Sequence, residues 1–105
     1  MFQIFFTDPA ETDLISTLQY ISQVLKSPDA AKKLFDEIEQ KIKILEDMPF
    51  CLPLVNDDYL ASKNIRSMLV KNYLIFYVID DIKNIVSIIR ILYARRDWLD
   101  LLKDN

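Results

Sequence analysis

The hydrophobic pattern of this chain changes period once, and that change limits what the chain can fold into. From residue 8 to residue 47 apolar side chains recur at three- and four-residue steps. From residue 65 to residue 93 they run almost unbroken and are dominated by Ile, Val, Tyr and Phe. The first pattern is that of amphipathic helices and the second that of strands. In the first part, Asp8-Pro9 with Glu11 supplies a carboxylate to accept an orphan amide, a proline for the first helical position and an acid for the positive first turn. The spacing predicts a helix to about Lys26 that turns Leu14, Leu18, Ile21 and Leu25 to the core. Ser27-Pro28 repeats the start signal and opens a second helix striped by Ala31, Leu34, Phe35, Ile38, Ile42 and Leu45. So short a connection predicts an antiparallel helical hairpin.

Strands are expected at Phe2 to Phe6, at Ile65 to Val70, at Tyr73 to Ile79 and at Ile85 to Tyr93. The last three, joined through Lys71-Asn72 and Asp80 to Asn84, form a three-stranded antiparallel meander. Met48 to Ser62, with two prolines and Asn56-Asp57-Asp58, reads as a loop long enough to be a binding segment. Arg96 to Leu102 reads as a short C-terminal helix using Trp98, Leu99 and Leu102. At 105 residues and 51% hydrophobic, the chain predicts one domain spanning residues 1–105 with a compact core.

Two residue types are missing altogether. Without histidine there is no imidazole base, no Ser-His-Asp triad and no His-ligated zinc; without glycine there is no phosphate-cradling loop. No cofactor and no metal site are expected. Cys51 stands alone, the first residues lack the basic start and apolar run of a signal peptide, and the longest apolar run, Tyr73 to Ile79, has 7 residues against the roughly 20 of a spanning helix. The expectation is a reducing, cytoplasmic setting without membrane contact.

The net charge of -3 conceals a split. Residues 1–60 hold five Lys/Arg against eleven Asp/Glu, whereas residues 61–96 hold seven against two. Such a basic strand region can meet phosphate, though helix faces also collect acids simply for solubility. Alternation along the last strand groups Arg90 with Val86, Ile88 and Leu92, and Tyr93 with Ile89 and Ile91. A cation inside an apolar strand must reach solvent or pair with an acid, such as Glu37 or Asp47. Arg95 and Arg96 follow the strand end, where guanidinium forks are well placed for phosphate oxygens, and Tyr93 just before them can donate a proton. Trp98 reads as a clamp for the C-terminal segment. Asp57-Asp58 and Asp80-Asp81 read as turn residues that cap their own backbone, and Cys51 as a small hydrophobe.

Arg66, the run Asn72 to Asp80 and the run Val86 to Trp98 resemble the RelE/ParE superfamily of bacterial type II toxins, and the order and length of the N-terminal elements agree. The resemblance implies an α+β domain in which the N-terminal strand joins the antiparallel sheet. It also implies a cognate antitoxin that wraps and neutralises the toxin and supplies most contact with operator DNA. Two activities go with the superfamily. One is ribosome-dependent cleavage of mRNA, an endoribonuclease activity that stops translation; the other is inhibition of DNA gyrase without nuclease activity. A degenerate member that only binds its antitoxin is a third possibility. The nuclease reading, taken first, implies Arg66, Tyr93 and Arg96 as catalytic residues, with Lys63, Lys71, Arg90 and Arg95 contacting RNA. Tyr93 stands where many members carry histidine, Ala94 where glycine is frequent and Val78 where a basic residue is frequent.

Overall fold

A computed structural model describes residues 1–103. The elements follow in the order β1 (Gln3–Phe6), α1 (Asp8–Gln19), α2 (Pro28–Ile44), α3 (Asp58–Ser62), β2 (Arg66–Val70), β3 (Tyr73–Asp80), β4 (Ile85–Tyr93) and α4 (Trp98–Lys103). The fold is α+β, with the expected helical hairpin, meander and C-terminal helix. β2, β3 and β4 pair antiparallel, and β1 lies parallel beside β4, giving the sheet order β1-β4-β3-β2.

The sheet is covered on both faces. On one face the hairpin's Leu34, Ile38 and Ile42 pack against Ile75, Tyr77 and Ile88. On the other, Leu60 of α3 and Leu102 of α4 pack with Val55, Ile65, Phe76 and Leu92. Coverage of both faces explains why the strands read as continuous apolar runs rather than as an alternation. Trp98 packs at a tilt on Phe76, ring centres 5.2 Å apart, and pins α4, as the sequence suggests. Among the described residues, no helix is long and apolar enough to cross a membrane.

Local departures from the sequence reading have physical causes. The cap of α1 is Thr7, not Asp8: its hydroxyl accepts from the Ala10 amide at 3.3 Å and donates to the Ile88 carbonyl at 3.0 Å, joining the helix start to β4. α1 then loosens into one π-helical turn, Tyr20–Val24, closed by Lys26 at a φ of 55°. With no glycine in the chain, the left-handed positions fall to Lys26, Asn64, Lys71 and Asn84, two of them asparagines that tolerate it. The 48–62 segment is partly ordered by its own hydrogen bonds. It holds a 3₁₀ turn at Pro49–Cys51, an isolated bridge from Leu54 to Arg66, and α3, capped by the Asp57 carboxylate on the Leu60 amide at 3.0 Å. Asp80 likewise accepts from the amides of Ile82 and Lys83. Cys51 is an exposed loop residue, at the end of the 3₁₀ turn.

The face assignment along β4 needs correction. The pairing steps from Phe76↔Arg90 to Tyr77↔Ile88, so Ile89 is the extra residue of a β-bulge. Beyond the bulge, Ile91 joins Val86 and Ile88 in the hairpin-side core while Leu92 packs on the opposite side. Strict alternation across residues 86–93 therefore fails.

Candidate functional site

β1 ends at Phe6, opposite Ile88, so the rest of β4 has no strand on that side. The flank of α1 takes its place. Asp13 accepts from the Ile91 amide at 3.0 Å and grips Arg90 in a two-pronged ion pair, 2.7 Å to Nε and 3.0 Å to Nη2. Arg90 is thus paired, as an interior cation requires, but with Asp13 rather than Glu37 or Asp47. The carboxylate also holds its guanidinium more firmly protonated than usual, against the opposing effect of burial.

Next to this pair an open cleft of about 750 Å³ lies between the hairpin and the end of the sheet. Tyr93, Tyr73, Lys71 and Arg96 line it from the strand ends, and Asp13 and Tyr20 from α1 and the turn that follows it. The register explains the gathering. Val70 faces Tyr73 and Tyr73 faces Tyr93, which sets the Lys71-Asn72 turn beside the end of β4, and the Ala94 amide donates to the Asn72 carbonyl at 2.8 Å. Tyr73 and Tyr93 meet edge to face at 5.6 Å. Burial pushes the Tyr73 phenol up, and the neighbouring phenols of Tyr93 and Tyr20 add to the shift. Lys71 reaches Glu37 at 3.6 Å, an ion pair in which both side chains are about half exposed. Arg95 and Arg96 are exposed in the bend after β4.

Arg66 does not join this group. It pairs with Tyr77, and Tyr77 with Ile88, four residues along β2 from the level of Val70, Tyr73 and Tyr93. That offset is about 13 Å along the strands, and the two strand spacings to β4 add about 10 Å across them. Its guanidinium is engaged locally, donating from Nη1 to the Leu52 carbonyl and lying 5.3 Å from the centre of the Phe50 ring. Lys63 is near that same end of β2, with its ammonium 5.2 Å from the Tyr59 ring. The cations of the strand region therefore form two groups. Lys71, Arg95 and Arg96 sit at one end of the sheet, Lys63 and Arg66 near the start of β2 at a level midway along β3 and β4, and Arg90, one register step from the level of Arg66, is neutralised.

The resemblance places Arg66 with Tyr93 and Arg96 in one site, whereas strand register sets Arg66 four residues along from their level. It passed over Tyr20, Tyr73 and Asp13. A signal for two of these was present: Asp13, Ser16, Thr17 and Tyr20 fall at helical spacing and form a polar stripe beside the apolar one. Among the described residues no group of three His, Cys, Asp or Glu side chains is placed to hold a metal ion.

A sheet of one parallel and two antiparallel pairings, a hairpin on one face and a cleft at the strand ends define the RelE/ParE class of toxins, and solved structures agree. The chain superposes on a structure of the chromosomal ParDE toxin-antitoxin system of P. aeruginosa with a TM-score of 0.72, at 18% identity, covering 90% of this chain and 98% of that one. The intact RelBE toxin-antitoxin complex of E. coli gives 0.58 at 13% identity, covering 91% and 100%, and the RelBE2 complex of Mycobacterium tuberculosis gives 0.56 at 18%, covering 88% and 96%. No curated protein matches by sequence. The profile of the ParE toxin of type II toxin-antitoxin systems, parDE, matches residues 4–98, and the chain belongs to that family.

Proposed function

We propose that this toxin acts by binding rather than by cutting RNA, with DNA gyrase as its target and an antitoxin as its neutralising partner. The observation that carries this reading is the division of the cations. In-line attack of a 2′-hydroxyl on its phosphate needs an acid-base pair and charge stabilisation converging within hydrogen-bond reach of one phosphate. Here Arg66 is a strand's length from Tyr93 and Arg96 and is committed to Leu52 and Phe50, while Arg90 is held by Asp13. Membership of the ParE family points the same way, and the titles of the similar structures, which are toxin-antitoxin systems and complexes, support the antitoxin.

A second reading has one observation in its favour: Tyr93, Arg96 and Lys71 do line a common cleft. It makes the chain a ribosome-dependent endoribonuclease in which Tyr93 and Arg96 act on mRNA, Lys71 and Arg95 hold the backbone, and Arg66 and Lys63 extend the contact. Two assays on the purified toxin separate the readings. Inhibited supercoiling by gyrase, with mRNA left whole in a translating extract, supports binding. Codon-phased cleavage that disappears in Arg96→Ala, with supercoiling unaffected, refutes it. Absence of both effects leaves only antitoxin binding. In either reading, operator DNA is approached through the antitoxin.

A further inference from the structure

The cleft at the strand ends gathers polar groups that the fold itself does not use. Among the described residues the Tyr77 phenol donates to a carbonyl, whereas the hydroxyls of Tyr20, Tyr73 and Tyr93 have no hydrogen-bond partner. The Asn72 side chain has none either, and Arg96 belongs to no ion pair. All five of these residues line the same cavity. Burial raises the Tyr73 phenol, which keeps it neutral and able to donate. Asp13 also lines the wall, but both its oxygens are taken by Arg90 and the Ile91 amide. The charge left facing the cavity is that of Lys71 and Arg96, and it is positive.

Size, rings and charge select the occupant. The volume of about 750 Å³ falls within the roughly 300–1,000 Å³ of small-ligand pockets. Tyr73 and Tyr93 meet edge to face at 5.6 Å, Tyr20 stands across from them at the end of α1 with half its surface open, and Ile21, Leu25 and Leu34 supply an apolar back. Such a wall suits one flat ring system that carries an anion. An extended peptide finds no strand to pair with, because Asp13 already occupies the Ile91 amide at the open edge of β4. A polynucleotide finds cations for one phosphate rather than for a row of them, since Arg66 lies four residues along the strands and Arg90 is neutralised. The Lys71 ion pair with Glu37 is long, at 3.6 Å, and half exposed, so an entering phosphate can draw Lys71 away from it.

We infer that this cleft is a binding site for a free nucleoside monophosphate, whose base lies among the rings of Tyr20, Tyr73 and Tyr93 and whose phosphate is met by Lys71 and Arg96. The phenols and the Asn72 amide offer donors and acceptors to the base and sugar. Stacking on aromatic faces supplies affinity for any base, and the two cations distinguish the nucleotide from its nucleoside. Glu37 competes with the ligand for Lys71 and so sets how readily the site fills.

The test titrates the purified full-length toxin with adenosine 5′-monophosphate, followed by calorimetry and by amide chemical shifts. Adenosine 5′-monophosphate should bind about tenfold or more tighter than either adenosine or inorganic phosphate, and should shift the amides of Tyr20, Asn72 and Tyr93. Three variants at exposed positions separate the contacts, with circular dichroism as the check on folding. Lys71→Asn, which keeps a residue tolerant of the left-handed φ of 53°, should weaken the nucleotide about fivefold or more at low salt and leave adenosine unchanged. Tyr20→Leu should weaken nucleotide and nucleoside alike by about fivefold or more, the worth of one base on one ring. Glu37→Gln releases Lys71 and should tighten the nucleotide severalfold, an effect that a merely structural ion pair would not produce. Absence of saturable binding, inorganic phosphate that binds as tightly as the nucleotide, or affinity unmoved by all three substitutions overturns the inference. Affinity that climbs with each nucleotide added to an oligoadenylate assigns the cleft to an RNA chain, and a tyrosine-centred acidic tripeptide that competes as well as the nucleotide assigns it to a protein segment; either result also overturns it. None of these readouts depends on gyrase or on the antitoxin.

Discussion

Replacing Asp13 by alanine probes a charge that is largely withdrawn from water. Arg90 and Asp13 are only 18% and 14% exposed, and the carboxylate closes two hydrogen bonds from the guanidinium and one from the Ile91 amide. The substitution strands a largely desolvated cation and opens the edge of β4 where β1 has already ended. Breaking one side of a buried pair costs about 3–5 kcal/mol, and the residual exposure puts this site near the lower end, about 3 kcal/mol. In a domain of this size each kcal/mol moves the melting temperature by about 4 °C or more, so a drop beyond about 10 °C is expected in thermal denaturation. The double variant Asp13→Leu/Arg90→Met removes both charges and leaves only the Ile91 amide without its acceptor. It should recover most of the loss shown by the single variants Asp13→Leu and Arg90→Met, giving a coupling of about 2 kcal/mol in the cycle of those two substitutions. A loss under about 1 kcal/mol for Asp13→Ala, or strictly additive single effects, would refute the view that this pair closes the sheet edge.

Other expectations concern the opposite end of the sheet and the caps. Tyr77→Phe leaves the buried Pro49 carbonyl without the phenol that donates to it at 2.9 Å, and should lower stability by about 1–2 kcal/mol in urea titration. Burial, with a smaller contribution from Cys51, pushes the Tyr77 phenol up to about 12. A raised phenol contributes stability that is complete below the unfolded value near 10 and is lost as pH rises through about 12, so ultraviolet titration should show its ionisation coinciding with alkaline unfolding. The Leu60 amide, helped by Lys103, holds the Asp57 carboxyl below the usual range against the effect of burial. Its contribution is present above about pH 4 and fades as pH falls through the lowered value, which chemical shifts of the Leu60 amide will follow and Asp57→Asn should abolish. Trp98→Ala removes the ring packed against Phe76 and should cost about 2–3 kcal/mol, with faster exchange throughout α4.

The sequence carried the architecture well because the architecture depends on local pattern. The switch from helical to strand spacing, the Pro28 start of α2 and the Lys71-Asn72 turn mark element ends within a residue or two, and the strands at 73 and 85 begin where expected. What was not legible depends on pairing between distant segments. The bulge at Ile89 leaves no trace in composition, yet it moves Ile91 and Leu92 to opposite faces from those that alternation assigns. The partner of Arg90 lies 77 residues away on α1, and only packing selects Asp13 over the acids of α2 and the loop after it. The resemblance sets Arg66 in one site with Arg96, whereas register along β2 and β3 places Arg66 opposite Tyr77, a strand's length from the level of Tyr93. Local rules locate elements, whereas the site depends on which element ends meet.

The parallel pairing of β1 with β4 bears on how the chain is made. Gln3 waits for Ile85 and Phe6 for Ile88, and the Thr7 hydroxyl waits for a carbonyl 81 residues downstream. During synthesis the helical hairpin leaves the ribosome early and forms from neighbouring turns, but its apolar stripe stays uncovered until the meander arrives. A nascent chain halted before Ile85 would hold an opening strand with nothing beside it and a cleft without Tyr93 or Arg96. A complete sheet is thereby tied to completed translation, and aborted products would be substrates for proteases.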